Sequence, residues 1–200
     1  QLTKSGYDAN YTFTATNELP PTPALPEILE IKAGKILLKS GSLDLGGIGK
    51  GYAIDKLADF LKVKYNLKYF LINGGGDICV TSDNDKPVTI MLAHPDDRNL
   101  AIGTVDLKEA GFAASSPRLR AWHDPKTGKS HNHLLTKHNV ASYVVAPNTT
   151  EADVWATVSC LNQTIALPAG VHQLAIDGSG RIIQDTLISK PNDYFCKLYN

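Results

Sequence analysis

The stretch Asp44-Leu45-Gly46-Gly47-Ile48-Gly49-Lys50-Gly51-Tyr52-Ala53-Ile54-Asp55 holds four glycines within six residues, with a lysine among them. A helix pattern follows at once. Ile54, Leu57, Ala58 and Leu61 recur at i, i+3, i+4 and i+7, the stripe of an amphipathic helix running to about residue 65. Asp55, Lys56, Asp59 and Lys62 fall off that stripe and are expected to face solvent. Ahead of the glycines, residues 36–39 and 43–45 read as a hairpin around Ser40-Gly41-Ser42. The unit is therefore strand, glycine loop, helix N-terminus. Glycine allows positive φ and close approach to the main chain. The first helical turn adds unpaired N–H groups and a partial positive charge. Together these make an anion site suited to phosphate, to which Lys50 adds a full charge. The same residues also suit a plain tight turn. Their spacing is neither a P-loop, since Gly51 follows the lysine, nor a dinucleotide fingerprint.

Two hundred residues are expected to form one domain with a core that needs no disulfide staples. Lys plus Arg equals Asp plus Glu, 20 each, which gives no support to a nucleic-acid or membrane-surface role. No apolar run approaches the length of a membrane helix. The chain starts at Gln1 without a signal peptide, and is read as processed or trimmed. Cys79, Cys160 and Cys196 fit neither a zinc site nor a complete disulfide set.

Residues 1–30, crowded with Pro20, Pro21, Pro23 and Pro26, read as an extended arm. Strands are expected over 69–72 and 78–81, interrupted by Asn73-Gly74-Gly75-Gly76-Asp77, which suits either a ligand-facing loop or a bulge. Further strands span 88–93 and 102–107, joined through His94-Pro95-Asp96-Asp97, and 111–115, which runs into Ser115-Ser116-Pro117. Small hydroxyls at a strand end suit phosphate or acceptor contacts.

Residues 118–138 form a polar hairpin region with His123, His131, His133 and His138. His131 and His133 alternate on a strand, as a metal could use, but no cysteine or acidic partner has matching spacing. His123-Asp124-Pro125-Lys126-Thr127-Gly128 reads as a turn.

A strand over 142–146 precedes a helix over 151–161, capped by Thr149 or Thr150, with Ala152, Trp155, Ala156 and Cys160 as its buried stripe. Asp153 and Thr157, four apart, share one face. They are either a solvated pair or two oxygen ligands for a hard cation. Residues 173–176 and 181–184 close a hairpin over Asp177-Gly178-Ser179-Gly180. Tyr194, Phe195 and Tyr199 in the tail are expected to pack. By pattern the fold is α+β, with few helices and largely antiparallel strands.

Residues 44–55 resemble the signature of the ApbE family, the FAD:protein FMN transferases, approximately DLGGIAKGYAVD. Three later stretches follow in the family's order: Leu71-Ile72-Asn73-Gly74-Gly75-Gly76-Asp77-Ile78, Ala114-Ser115-Ser116, and Ala152-Asp153-Val154-Trp155-Ala156-Thr157. The resemblance runs from about residue 36 to about residue 185 and implies a T-fold-like architecture in a single flavin-transferase domain. Members usually carry about a hundred more residues ahead of this point, so the chain is expected to be short or N-terminally truncated.

The activity implied is magnesium-dependent transfer of FMN from FAD to a threonine or serine of an acceptor protein, with release of AMP. Asp153, Thr157 and the Gly49 carbonyl are the implied Mg2+ ligands. Gly46, Gly47 and Lys50 are implied to hold phosphate, with Asn73, Gly75, Asp77 and Ser115 contacting the nucleotide. His133 aligns with the functional histidine of the family's His-Ile-Ile-Asp-Pro motif, although Thr136-Lys137 stand in place of Asp-Pro. Ala114-Ser115-Ser116 likewise departs from Thr-Ser-Gly.

Two other readings stay open: an FAD pyrophosphatase giving FMN and AMP, and a non-catalytic flavin or nucleotide binder. The family setting implied is the bacterial periplasm or a membrane-anchored lipoprotein. A bacterial origin would leave the glycosylation triplets at Asn10, Asn148 and Asn162 without meaning.

Overall fold

The computed structural model describes residues 6, 8, 10, 12–14, 23–83, 86–97, 99–118, 120–134, 136–138, 140–187 and 195–199. Pro20, Pro21 and Tyr194, which entered the sequence reading, lie outside them. The chain divides into two compact units, residues 1–45 with 121–135 and residues 46–120 with 136–200.

The first unit holds α1 (Leu25–Ile28), β1 (Leu29–Lys32) and β2 (Lys35–Leu38), with β8 (Ala121–His123) and β9 (Ser130–Asn132). The end of the expected arm is thus ordered into a helical turn and a strand. The Glu27 carboxylate accepts the Ala24 N–H at 3.2 Å and fixes the start of α1. β1 and β2 pair antiparallel from Leu29↔Leu38 to Lys32↔Lys35. The hairpin therefore turns at Ala33-Gly34 and not at residues 40–42, and residues 43–45 form no strand. Ala33 and Gly34 both take positive φ, 50° and 72°, the two-residue turn whose twist matches paired strands. In the second hairpin Trp122 lies opposite His131, and their rings stack at 5.9 Å. Phe13 meets the same indole at 5.6 Å. Buried Asp124 organises the turn, accepting from the Lys126 amide and the Thr127 hydroxyl, each at 2.9 Å.

The second unit holds α2 (Gly49–Tyr65), β3 (Tyr69–Asn73), β4 (Ile78–Ser82), β5 (Val88–Ala93), β6 (Ala101–Leu107), β7 (Ala110–Ser115), β10 (Ala141–Ala146), α3 (Thr149–Leu161), β11 (His172–Ile176), β12 (Ile182–Asp185) and β13 (Phe195–Leu198). Six strands form one sheet in the order β12-β11-β10-β7-β4-β3, and three form another, β13-β6-β5. All their pairings are antiparallel. The fold is α+β, largely antiparallel with few helices.

One face of the large sheet packs on the small one through Val80, Phe112, Val145 and Leu174 against Ile90, Leu92, Val105 and Leu107. The other face carries the helices. Ala152 and Ala156 of α3 pack on Ala113, Val144 and Ala146, while Ile54 and Ala58 of α2 pack near Cys79, Phe70 and Ile72. β10, covered on both faces, is buried at all six positions and so lacks the alternation of a half-exposed strand. Burying each large aliphatic side chain contributes about 1.5–3 kcal/mol, which makes this three-layer core the main source of stability.

Candidate functional site

α2 begins at Gly49, five residues before the apolar stripe signalled it, so Gly49, Lys50 and Gly51 are its first turn. Its buried face is Gly51, Ile54 and Ala58. Leu57, expected inside, is 45% exposed. Gly51 lies in the interior because α3 crosses there: a Cβ on it would sit 2.5 Å from the Thr149 carbonyl oxygen. Gly111 of β7 makes room on the other side, where a Cβ would run into the Asn148 carbonyl. Residues 148–150 are thus clasped between a strand glycine and a helix glycine.

Two carboxylates lock this crossing. Asp55 does not face solvent as expected. Its oxygens accept the Thr149 and Thr150 amides at 2.9 and 2.8 Å, and the Thr150 hydroxyl also donates to it. The cap of α3 is Asn148, one residue ahead of the expected threonines, and it accepts the Glu151 amide at 2.8 Å. In return Asp153 of α3, 5% exposed, accepts the Gly51 amide of α2 at 3.2 Å. The N-cap residue of α2, Ile48, supplies no side-chain cap, so Asp153 meets the positive end of a helix.

A charged cluster follows from that placement. The Lys50 ammonium is bonded to Asp77 Oδ2 and lies 3.7 Å from Asp153 Oδ1. Asp77 is almost fully buried. Burial pushes its carboxyl above the usual range, the Lys50 hydrogen bond opposes this, and the Asp153 charge reinforces it. Arg120 adds a further stabilising charge on Asp77. Asp77 ends the triple-glycine loop, where its carbonyl accepts the Gly74 amide at 2.9 Å. Asn73 Oδ1 accepts the Gly75 and Gly76 amides at 3.1 and 2.9 Å, holding two glycines at positive φ. That oxygen therefore shapes the loop that Gly75 lines.

On α3, one turn beyond Asp153, the Thr157 side chain lies beside Gly47. A Cβ on Gly47 would lie 3.7 Å from Thr157 Oγ1. Ser115, at the end of β7, accepts the Cys160 thiol through its carbonyl at 3.3 Å. All the expected phosphate, nucleotide and metal residues lie in the second unit. His133 belongs to the first, where it is half-buried.

Residues 8–174 match the profile of the ApbE family. The chain belongs to the ApbE family.

Curated ApbE-related proteins include the FAD:protein FMN transferase of Escherichia coli, 30% identical over 128 residues, 58% of this chain and 35% of that protein. The FAD:protein FMN transferase of Salmonella typhimurium is 28% identical over 165 residues, 68% of this chain and 46% of that protein. The chain thus spans between about a third and a half of the length of these relatives. Among solved structures, the ApbE protein of Thermotoga maritima superposes with a TM-score of 0.71 at 20% identity, covering 92% of this chain and 67% of the other. A mutant of the flavin transferase ApbE from Vibrio cholerae gives 0.61 at 18% identity, covering 88% and 64%. At these identities the likeness establishes the ApbE fold.

The donor set in this ApbE chain fits a hard divalent cation. It offers a nearly buried carboxylate, a hydroxyl on the same helix face and adjacent glycine backbone, all oxygen. The ladder of α2 starts at the Ile48 carbonyl, which accepts the Tyr52 amide at 3.0 Å, and the Gly49 carbonyl one residue on has a second lone pair beyond any helical bond. Among the described residues no three His, Cys, Asp or Glu side chains cluster to hold a metal. Nor is any helix among them long and apolar enough to cross a membrane.

Sequence reasoning missed Asp55 and Arg120. Asp55 stands in the ApbE-like stretch, but helical periodicity records only which residues share a face, not what packs against it.

Proposed function

We propose that this chain carries out magnesium-dependent transfer of FMN from FAD to a threonine or serine hydroxyl of an acceptor protein, releasing AMP. The observation that carries the reading is the buried Asp153 carboxylate set against the first turn of α2, with Thr157 one turn on beside Gly47. Membership of the ApbE family supports the choice of FAD.

In the proposed reaction the acceptor oxygen attacks the FMN-side phosphorus. The bond from that phosphorus to the bridging oxygen breaks, and AMP leaves with that oxygen. Phosphoryl chemistry of this type depends on charge neutralisation and alignment. Asp153, Thr157 and the Gly49 carbonyl would hold Mg2+, which would supply Lewis-acid charge to the diphosphate.

The chain's own groups do the rest. Amides at the start of α2 and the Gly46-Gly47 backbone hold phosphate oxygens. Asp55 and Gly51 keep the two helices at the separation the site needs. The Asn73–Asp77 loop and Ser115 position the nucleotide. His133 is the candidate acceptor of the hydroxyl proton, a role read by loss of transfer in His133→Asn with FAD binding kept. A single transferase domain over residues 1–200 and a periplasmic or membrane-anchored setting belong to the same proposal.

Incubation with FAD, Mg2+ and an acceptor peptide tests it. Flavin joined covalently to the peptide, with AMP in solution, is the expected result. Free FMN and AMP would instead make the chain a pyrophosphatase, and FAD bound but unchanged would make it a binder.

A further inference from the structure

Lys50 reads from sequence as a phosphate ligand, yet its ammonium is engaged elsewhere. It is bonded to Asp77 and stands 3.7 Å from Asp153, two carboxylates whose side chains are only 3% and 6% exposed. Two negative charges shielded from water require positive charge close by. Lys50 supplies it from the first turn of α2, directly beside the Gly51 amide that holds the other oxygen of Asp153. Its side chain is 44% exposed, so the long stem has an open route away from the acids. A lysine ammonium is a compact point charge on a flexible chain, suited to exchange between partners.

The geometry points to Lys50 as a tethered cation that occupies the Asp77–Asp153 pair until a divalent cation enters, and is then released toward solvent and the incoming phosphate. This rests on the Mg2+ reading above and extends it. Asp77 belongs to the cation site as well as Asp153, and metal binding and release of Lys50 are one event. Electrostatically the exchange replaces one positive charge with two beside two carboxylates, leaving the site better balanced. The freed ammonium adds its charge at the helix N-terminus, where a diphosphate would lie. Ordered metal-first loading follows: with the acids unfilled, Lys50 is held away from the phosphate.

The test is Mn2+ binding to the full chain at pH 8, followed by the electron paramagnetic resonance signal of the free ion. Lys50→Met removes the competing charge while keeping much of the stem. It should bind Mn2+ about tenfold more tightly than wild type, whereas Asp77→Asn should bind about tenfold more weakly. Lys50→Arg, which keeps the charge, should gain nothing. A thermal melt checks that each variant is folded. A second measurement needs no variant: amine labelling of Lys50 in wild type, read by peptide mass, should rise severalfold on saturation with Mg2+. Wild type and Lys50→Met binding Mn2+ equally, or Lys50 labelling unchanged by Mg2+, would overturn the exchange and leave the metal reading standing. No Mn2+ bound by any form would overturn both.

Discussion

Asp55 and Asp153 cap each other's helices. Asp55, on α2, takes the Thr149 and Thr150 amides that open α3, while Asp153, on α3, takes the Gly51 amide in the first turn of α2. Each carboxylate thus sits at a positive helix end that would otherwise keep orphan N–H groups. The exchange brings the glycine loop and the Asp153–Thr157 face together.

Asp55→Ala removes a partly buried acceptor with three donors and leaves two amides without partners. Unfolding in urea should show a loss of about 2–3 kcal/mol, above the usual cost of a lost cap because more than one bond goes. Asp55→Asn should recover part of it. A loss under about 0.5 kcal/mol for the alanine variant would show that the crossing does not depend on this carboxylate.

Gly51→Ala tests the close approach itself. The added methyl would meet the Thr149 carbonyl at 2.5 Å, so the helices must separate, at about 1–3 kcal/mol. Gly47→Ala is the contrast, since its methyl would meet Thr157 at an ordinary 3.6 Å. Denaturant midpoints should fall clearly for the first and little for the second.

The closing hairpin carries a pH signature. The Ser179 hydroxyl, helped by the Ser179 and Arg181 amides and the Arg181 charge, lowers Asp177 to about 2. A depressed folded-state value means that the stabilisation is present above the ordinary aspartate range near 3.8 and is lost as pH falls through about 2. Carboxyl-carbon NMR should place the Asp177 midpoint there, and Ser179→Ala should raise it.

Cys160 donates its thiol to the Ser115 and Val140 carbonyls from a fully buried position, and burial pushes its pKa up to about 12. At pH 8 the native chain should leave Cys160 unalkylated by iodoacetamide in peptide maps, and urea should expose it. Rapid labelling without denaturant would place α3 less firmly on the sheet.

Legibility in the sequence follows how local each signal is. The strands from residue 69 to 115, the strand over 142–146 and the helix after Asn148 are legible because short apolar runs bounded by turn residues and the 3.6-residue period are local signals. The hairpin at Ala33-Gly34 was not, because alanine at positive φ carries no turn signal and its conformation is set by strand pairing. β13 was not either, since its pairing with β6 joins Phe195 to Asp106, 89 positions apart in the chain. Around the site, the acids and glycines could be picked out individually. Which of them face each other depends on a helix crossing, and so the sequence gives no sign that the Lys50 ammonium meets Asp77 and Asp153.

FAD affinity with and without Mg2+, in wild type and Asp153→Asn, bears most directly on a diphosphate held between α2 and α3. Asparagine can still accept the Gly51 amide, so the variant separates charge from folding. The expected result is FAD bound much more tightly with Mg2+ in wild type, and this Mg2+ effect lost in a folded Asp153→Asn. FAD bound equally by both forms, whether or not Mg2+ is present, would contradict it.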